Sequence, residues 1–532
     1  MNDVRGASLV TRVATPLLIL AIAAALIVPA LRLHANGLWA DELFTAYFSD
    51  PRGSWTTALL RAAEDVHPPT YAMLVRLLRL LTGGDAASVA RGLALACSAA
   101  TLGVLAYAVR RRVRGLALLA TLATAALSGP FLSVVTEARA YALAALLVTI
   151  DIALILPLLK RRARPHAPLA VLLIVGGLVH SYLALLGLAL AFYLAVIAPT
   201  WRSRIGWGVV ALLVVMAAQL VARWQAPHVV VDVNGVWFSA SPLALADYVA
   251  QGLILSLLSP LGLVVLLLAA LCVPWRAVAA QAAIPRAALA TPAGLACCAI
   301  ALTVAGAAAY SVIVLPILSR RLFLVLAPFF WLLAAEVFRI ALARPRPLAT
   351  AALLAAALLG ALRVVDAGQQ AVEPFRESAQ AIRAIPACAS APIAVGGLEQ
   401  PYVRGSEAAL FYGYYSPGTD RLVPLSRRAP VETIAARALA IHGASACPVL
   451  LWSVHMLRRD KVEEIAALMR RSPRLPRGHQ VVVQSFAPPR TVAFLPQLGR
   501  RSGRANGFLI RLMPPAGTVP GAKALPSPPP AG

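Results

Sequence analysis

The chain has 532 residues, 60% of them hydrophobic and 13% charged, and its mean hydropathy of +0.78 excludes an ordinary soluble globule. A net charge of +26 raises nucleic acid as a partner. The arginines fall in alternate short loops between apolar runs, however, so nucleic acid is excluded and a membrane protein remains.

Apolar runs of about twenty residues recur to about residue 363, each long enough to cross ~30 Å of hydrocarbon as a helix. The predicted spans are 12–33, 88–109, 116–135, 139–159, 167–182, 183–200, 205–222, 250–273, 293–317, 322–338 and 348–363. The expected fold is a polytopic all-α membrane domain of about eleven transmembrane helices. Arg5 and Arg12 precede the first span; Arg110-Arg111-Arg112, Lys160-Arg161-Arg162, Arg202 with Arg204, Arg276 with Arg286, and Arg339 with Arg344 and Arg346 occupy alternate loops. By the positive-inside rule those loops and the N-terminus are cytoplasmic. Eleven crossings then put residues 34–87 and everything after about 364 on the outer face. The first span has no small-residue cleavage site before Leu38-Trp39 and reads as an uncleaved helix.

Within residues 34–87, a first outer loop, Trp55 to Glu64 predicts a short helix. Thr70 to Leu81 predicts an amphipathic one, with Tyr71, Leu74, Leu77, Leu78 and Leu81 on its apolar face and Arg76 and Arg79 toward headgroups. Residues 1–363 form the membrane domain. Residues 364–497 read as a small α/β domain: helices at Phe375–Ile385, Val431–Ala440 and Asp460–Arg471, strands at Ala391–Val395, Pro448–Val454, Gln480–Phe486 and Thr491–Leu495. Residues 498–532, rich in Pro, Gly and Arg, read as a disordered tail. Of six cysteines, Cys97, Cys272, Cys297 and Cys298 lie in spans and suit packing. Cys388 and Cys447 share the outer-face region, where a disulfide is possible in an oxidising compartment.

Five polar groups interrupt the apolar pattern. Trp39-Ala40-Asp41-Glu42 follows the first span; adjacent carboxylates suit a general base or a divalent cation, and equally a helix cap. In His67-Pro68-Pro69-Thr70-Tyr71 the prolines fix the backbone ahead of a helix, so His67 could meet a phosphate, a metal or the carboxylates, or serve as a cap. Glu137-Ala138-Arg139-Ala140-Tyr141 opens the fourth span, with Glu137 and Tyr141 on one helix face. Arg139 offers a planar fork for phosphate, or a snorkelling cation. His180-Ser181-Tyr182 divides an apolar stretch too long for one crossing, which predicts a turn there that brings His180 to the outer face; a packing histidine is the other reading. Ser319-Arg320-Arg321 places two arginines on the outer face, against the charge bias. All five groups then share one side of the membrane, as transfer from a lipid-borne phosphate requires.

These motifs, with the run Arg320-Arg321-Leu322-Phe323-Leu324-Val325-Leu326-Ala327-Pro328, resemble the GT-C glycosyltransferases of bacteria. The branch they are most similar to includes protein O-mannosyltransferases, the lipid A aminoarabinose transferase and the Rgt-type lipopolysaccharide sugar transferases. The likeness covers residues 10–340, and the C-terminal domain in outline. It implies a bacterial inner (plasma) membrane enzyme that moves a sugar from a polyprenyl-phosphate donor to an outer-face acceptor, with inversion. The acceptor would be lipid A or lipopolysaccharide, another glycan, or protein. It further implies Asp41, with Glu42, as the catalytic acids, and Arg139 with Arg320 or Arg321 and His67 as phosphate ligands. Glu137, Tyr71, Tyr141, His180 and Tyr182 are expected in support. The late motif reads Arg-Arg-Leu where relatives often show Arg-Tyr, leaving both arginines as candidates. No cofactor is required, although a divalent metal would fit near Asp41 and Glu42. The rival expectation is a transporter or flippase of a lipid-linked sugar, a class that tends to show repeat halves; this chain shows none.

Overall fold

The computed structural model describes residues 2–34, 37–160, 166–228, 239–273, 285–343, 347–367, 373–397, 408–416, 421–426, 428–443, 445–454, 457–476, 478–486 and 507–514. The chain forms two compact units, residues 1–33 with 48–368 and residues 34–47 with 369–532. In chain order the helices up to residue 367 are α1 Asn2–Leu31, α2 Ala40–Phe48, α3 Trp55–Ala62, α4 Thr70–Thr82, α5 Ala86–Val109, α6 Gly115–Ala126, α7 Gly129–Val134, α8 Tyr141–Lys160 and α9 Ala167–Val179. They continue as α10 Ser181–Ile197, α11 Trp201–Gln225, α12 Pro242–Leu257, α13 Pro260–Cys272, α14 Pro285–Leu289, α15 Pro292–Ile313, α16 Leu322–Ala341 and α17 Pro347–Ala367.

The first unit is a helical bundle in which α16 is the most enclosed member. Leu322 through Phe329 are buried without interruption, and Trp331, Leu332, Ala335 and Phe338 continue its core. Among the described residues, six helices are long and apolar enough to cross a membrane, or seven if the bent pair α12–α13 counts as one span. The structure is mostly helical, as a polytopic membrane protein would be, and six of the about eleven expected spans meet the length and hydropathy of a crossing as single helices.

Two of the predicted spans are broken by helix-start signals inside apolar sequence. In 116–135 the helix stops at Ala126; Ser128 then caps α7, its Oγ accepting from the Phe131 N–H, with Pro130 in the first turn. In 250–273 the chain bends by 91° between α12 and α13, where Ser259 caps a helix opening on Pro260. A serine cap followed by proline starts a new helix whatever the hydropathy of its surroundings. The stretches 167–182, 183–200 and 348–363 form apolar helices of 10–17 residues.

The predicted turn at His180 is present. This residue alone is extended between α9 and α10, at φ −156° and ψ 137°. The two helices pack closely: a Cβ on Gly177 would lie 3.3 Å from the Ala184 Cβ and one on Gly187 would lie 3.2 Å from the Leu173 carbonyl. Glycine lets the backbones approach this closely.

In α4 the two arginines turn inward to the protein rather than toward headgroups. Arg76 is buried and donates to the carbonyls of Pro51 (3.2 Å) and Gly53 (2.7 Å). Arg79 donates to the Ser49 carbonyl at 2.9 Å. Leu77, Leu80 and Leu81 are the exposed side chains. Loop carbonyls at 49–53 need donors, and the arginines supply them.

The second unit comprises α18 Phe375–Arg383, β1 Ile393–Gly397, β2 Leu422–Ser426, α19 Val431–His442, β3 Val449–Val454, α20 Arg459–Arg470, β4 Gln480–Phe486 and β5 Gly507–Met513. The sheet order is β2-β1-β3-β5-β4. β1 is parallel to β2 and β3, with Ile393 opposite Leu422 and Ala394 opposite Leu451. β5 is antiparallel to β3 and β4. One face packs on Ile434, Ala438, Val462, Ile465 and Met469 of α19 and α20. On the other, Tyr412 meets Phe375 and Trp452 edge-on, and the Trp452 indole N–H donates to Ser378 Oγ at 2.8 Å. Cys388 and Cys447 are joined by a disulfide, closing a loop that contributes about 4 kcal/mol by chain-entropy arguments.

Two boundaries change. Residues 34–47, expected in the first outer loop of the membrane domain, belong to the second unit, where Phe44 packs on Phe411 at 5.3 Å. The expected disordered tail 498–532 contains β5, whose run Gly507-Phe508-Leu509-Ile510 is buried in mid-sheet. The predicted strand at 491–495 lies outside the described residues.

Candidate functional site

The tip of the α9–α10 hairpin gathers most of the polar residues singled out in the membrane unit. His180 is 2% exposed, and its ring lies 4.6 Å from that of His67, 5.2 Å from Tyr141 and 5.0 Å from Tyr182. Arg139 and Arg321 are close enough for their charges to act on both His180 and Tyr141. The Tyr182 backbone N–H donates to His180 Nδ1 at 3.1 Å, which makes the ring the cap of α10. Because Nδ1 must then present a lone pair, a neutral ring carries its proton on Nε2. Nε2 is buried and has no hydrogen-bond partner among the described residues. It is a buried donor on whose ring two guanidinium charges act.

Several elements hold this arrangement. Gln225, the last residue of α11, donates from Nε2 to the carbonyls of Asp65 (3.0 Å) and His67 (2.8 Å). Thr70 Oγ1 donates to the Leu178 carbonyl at 2.6 Å, tying the start of α4 to the end of α9. Asp65 pairs with Arg139 at 3.7 Å. Across the site, the Tyr182 hydroxyl donates to the Ile317 carbonyl at 2.7 Å and lies 3.0 Å from Ser319 Oγ. Ser319 Oγ in turn accepts from the Arg321 N–H at 3.2 Å. Ser311 steadies the same loop by accepting from the N–H groups of Ile317 and Leu318.

Geometry thus separates the two adjacent arginines. Arg321 acts on the tyrosine–histidine cluster, whereas Arg320 is exposed. It also alters the reading of the 137–141 motif, because α8 begins at Tyr141 and residues 137–140 form an irregular turn. The Arg139 N–H donates to the Glu137 carbonyl at 2.7 Å, so Glu137 and Tyr141 do not share a helix face. The non-helical turn leaves Arg139 buried, at 8% exposure. Tyr71, in the first turn of α4, is buried.

Asp41 and Glu42 belong to the second unit. Glu42 is 2% exposed, and its Oε2 accepts from the Trp39 N–H at 3.3 Å, a cap for its own helix. The neighbouring Ala40 N–H donates to Glu373 Oε2 at 2.8 Å. Among the described residues no three or more His, Cys, Asp or Glu side chains come together as metal ligands, so the expected metal position at Asp41 and Glu42 gains no further ligands there.

Two side chains that brace the hairpin tip were missed from sequence: Asp65, the acid on Arg139, and Gln225, the clamp on the 65–67 backbone. Glu64-Asp65 is a second adjacent acid pair just before His67, and that pattern was the available signal. Nothing local marks Gln225. No family model matches the sequence, and no curated protein matches it.

Proposed function

We propose that the protein is a membrane glycosyltransferase that takes a sugar from a polyprenyl-phosphate donor, and that the α9–α10 hairpin tip holds the donor phosphate. The observation that carries this reading is the buried His180 Nε2–H, a donor without an acceptor among the described residues, on which the charges of Arg139 and Arg321 both act. Convergent buried donors of this kind suit an anion, and the surrounding apolar helices suit a lipid tail. The polyprenyl phosphate leaves as an anion, so pre-set donors around it would lower the barrier more than any gain in substrate binding alone. In this reading the hairpin tip faces the extracytoplasmic side of a bacterial inner membrane, as the loop charges indicate, and the acceptor is a lipid, glycan or protein there. Asp41 enters as the acceptor's base on the strength of the sequence likeness, and Asp41→Asn tests that role separately.

The main test is release of polyprenyl phosphate from a labelled lipid-linked sugar by the purified protein in lipid nanodiscs. Arg321→Gln and Arg139→Gln should each lower kcat by at least tenfold, while Arg320→Gln should leave it within twofold. Equal effects of Arg320→Gln and Arg321→Gln would remove the assignment.

One observation favours the rival reading of a lipid-linked sugar transporter. Asp151 lies within α8, 4% exposed, and its Oδ1 has no hydrogen-bond partner among the described residues; buried intramembrane acids often serve transport. Movement of the intact labelled lipid across sealed vesicles, without release of polyprenyl phosphate, would select that alternative.

A further inference from the structure

The proposed reaction changes the charge at its own binding site. The donor is a phosphodiester with one negative charge. When the acceptor oxygen bonds to the sugar C1, the bond from C1 to the phosphate oxygen breaks and its electron pair stays on the phosphate. The product is a phosphomonoester with two negative charges, and the acceptor hydroxyl has passed its proton to the acceptor's base, assigned above to Asp41. A pocket suited to the diester must therefore accommodate one extra negative charge at the end of each turnover.

Two imidazoles face that charge, and they differ in what they can do. His180 is committed: Nδ1 is engaged by the Tyr182 N–H, so a second proton on this ring would break its helix cap. His67, its ring 4.6 Å from that of His180, is carried on a loop whose backbone Gln225 fixes at both Asp65 and His67. The charged and titratable groups around the pair include Arg139 and Arg321, Asp65 on Arg139, the hydroxyls of Tyr141 and Tyr182, and Glu137, whose charge acts on Tyr141. With both guanidiniums already acting on the histidine pair, another cation becomes favourable only when the anion gains charge.

We infer that His67 takes up one proton when the phosphate in this site is a monoester dianion and none when it is a diester monoanion. His180 remains a neutral Nε2–H donor throughout. The site then matches product and donor by protonation, and holds the product more tightly as the pH falls. This rests on the donor-site reading above.

Calorimetry on the full-length protein in nanodiscs tests it, with polyprenyl monophosphate and its methyl diester as probes. Measurements at pH 8 in buffers of different ionisation enthalpy count protons directly. A free monoester is already a dianion at that pH, its second ionisation lying near ~6. The expected result is uptake of about one proton with the monoester and none with the diester, and a monoester affinity that weakens up to about tenfold per pH unit on the alkaline side of the His67 titration. His67→Gln should bind the monoester without uptake. Binding with no proton uptake would overturn the inference while leaving the donor site standing, as would equal uptake with both lipids or undiminished uptake in His67→Gln. Absence of binding by either lipid would overturn both. Should His67→Gln fail to fold, the contrast between monoester and diester in the unmodified protein still decides.

Discussion

Gln225 offers a sharp test of how the hairpin-tip site is built. Its amide makes two hydrogen bonds, to the carbonyls of Asp65 and His67, from a side chain only 6% exposed. Gln225→Met keeps the length and removes both donors, leaving two carbonyls short of a partner in a largely buried position. At about 1–1.5 kcal/mol for each lost bond, the ordered loop loses about 2–3 kcal/mol. If that loss falls wholly on the loop, the affinity for polyprenyl phosphate drops roughly 30- to 150-fold, since 1.4 kcal/mol is about a factor of ten. Gln225→Glu should be worse, because it sets a carboxylate against two carbonyl oxygens. Gln225→Asn is one methylene short and should keep at most one bond, giving an intermediate loss. The assay is equilibrium binding of polyprenyl phosphate in nanodiscs, with thermal unfolding alongside to separate loop opening from global damage. Wild-type affinity in Gln225→Met would refute the claim that α11 positions His67 and Asp65.

Three further outcomes follow from the fold. Cys388→Ser, or reduction of the Cys388–Cys447 bond, should destabilise the second unit by about 4 kcal/mol; thermal melting and limited proteolysis with and without reductant measure this, and an unchanged melting temperature would contradict it. Gly252→Ala places a Cβ 2.0 Å from the ring of fully buried Phe323, so α12 and α16 must separate at a cost of about 1–3 kcal/mol, read as a lower unfolding midpoint in detergent. For Asp50, burial pushes the carboxyl up, but hydrogen bonds from the Arg52 side chain and backbone and the charges of Arg52 and Arg79 more than offset this and hold it below its ordinary value. A depressed carboxylate adds stability above its unfolded value near ~3.9 and loses it as pH falls through the lower folded value. Melting temperatures should therefore fall more steeply on acidification in wild type than in Asp50→Asn, and parallel slopes would refute the pairing.

Much of the architecture was legible because hydropathy and loop charge are additive along a chain. The helices over Arg12–Leu31, Ala86–Val109, Tyr141–Leu159, Trp201–Gln225, Pro292–Ile313 and Leu322–Ala341 coincide with predicted spans. What window averages hide is punctuation. Ser128-Gly129-Pro130 and Ser259-Pro260 are helix starts embedded in apolar sequence, and averaging erases them. The same averaging concealed β5, since seven apolar-rich residues sit in a segment dominated by Pro, Gly and Arg. β2 was missed because it contains Pro424, which suits an edge strand and argues against a central one; β2 is at the edge. In the candidate site, His67, Arg139, Tyr141, His180 and Tyr182 were each marked by polarity within apolar surroundings. Asp65 and Gln225 were not, because their roles depend on partners distant in sequence that only tertiary packing brings near.

The position of β5 also sets the order in which the second unit becomes complete during synthesis. β3, whose residues are buried along its whole length, borders β1 on one side and waits for β5 on the other. The ribosome must add residues 455 to 507 before that partner begins to emerge, about 3–10 s at ~5–20 residues per second. Through that interval Val449-Leu450-Leu451-Trp452 presents an open, strongly apolar edge of the kind that recruits other chains. Nascent protein is therefore most exposed to association with other copies just before the last strand arrives, and holding chaperones would be needed then if at any time.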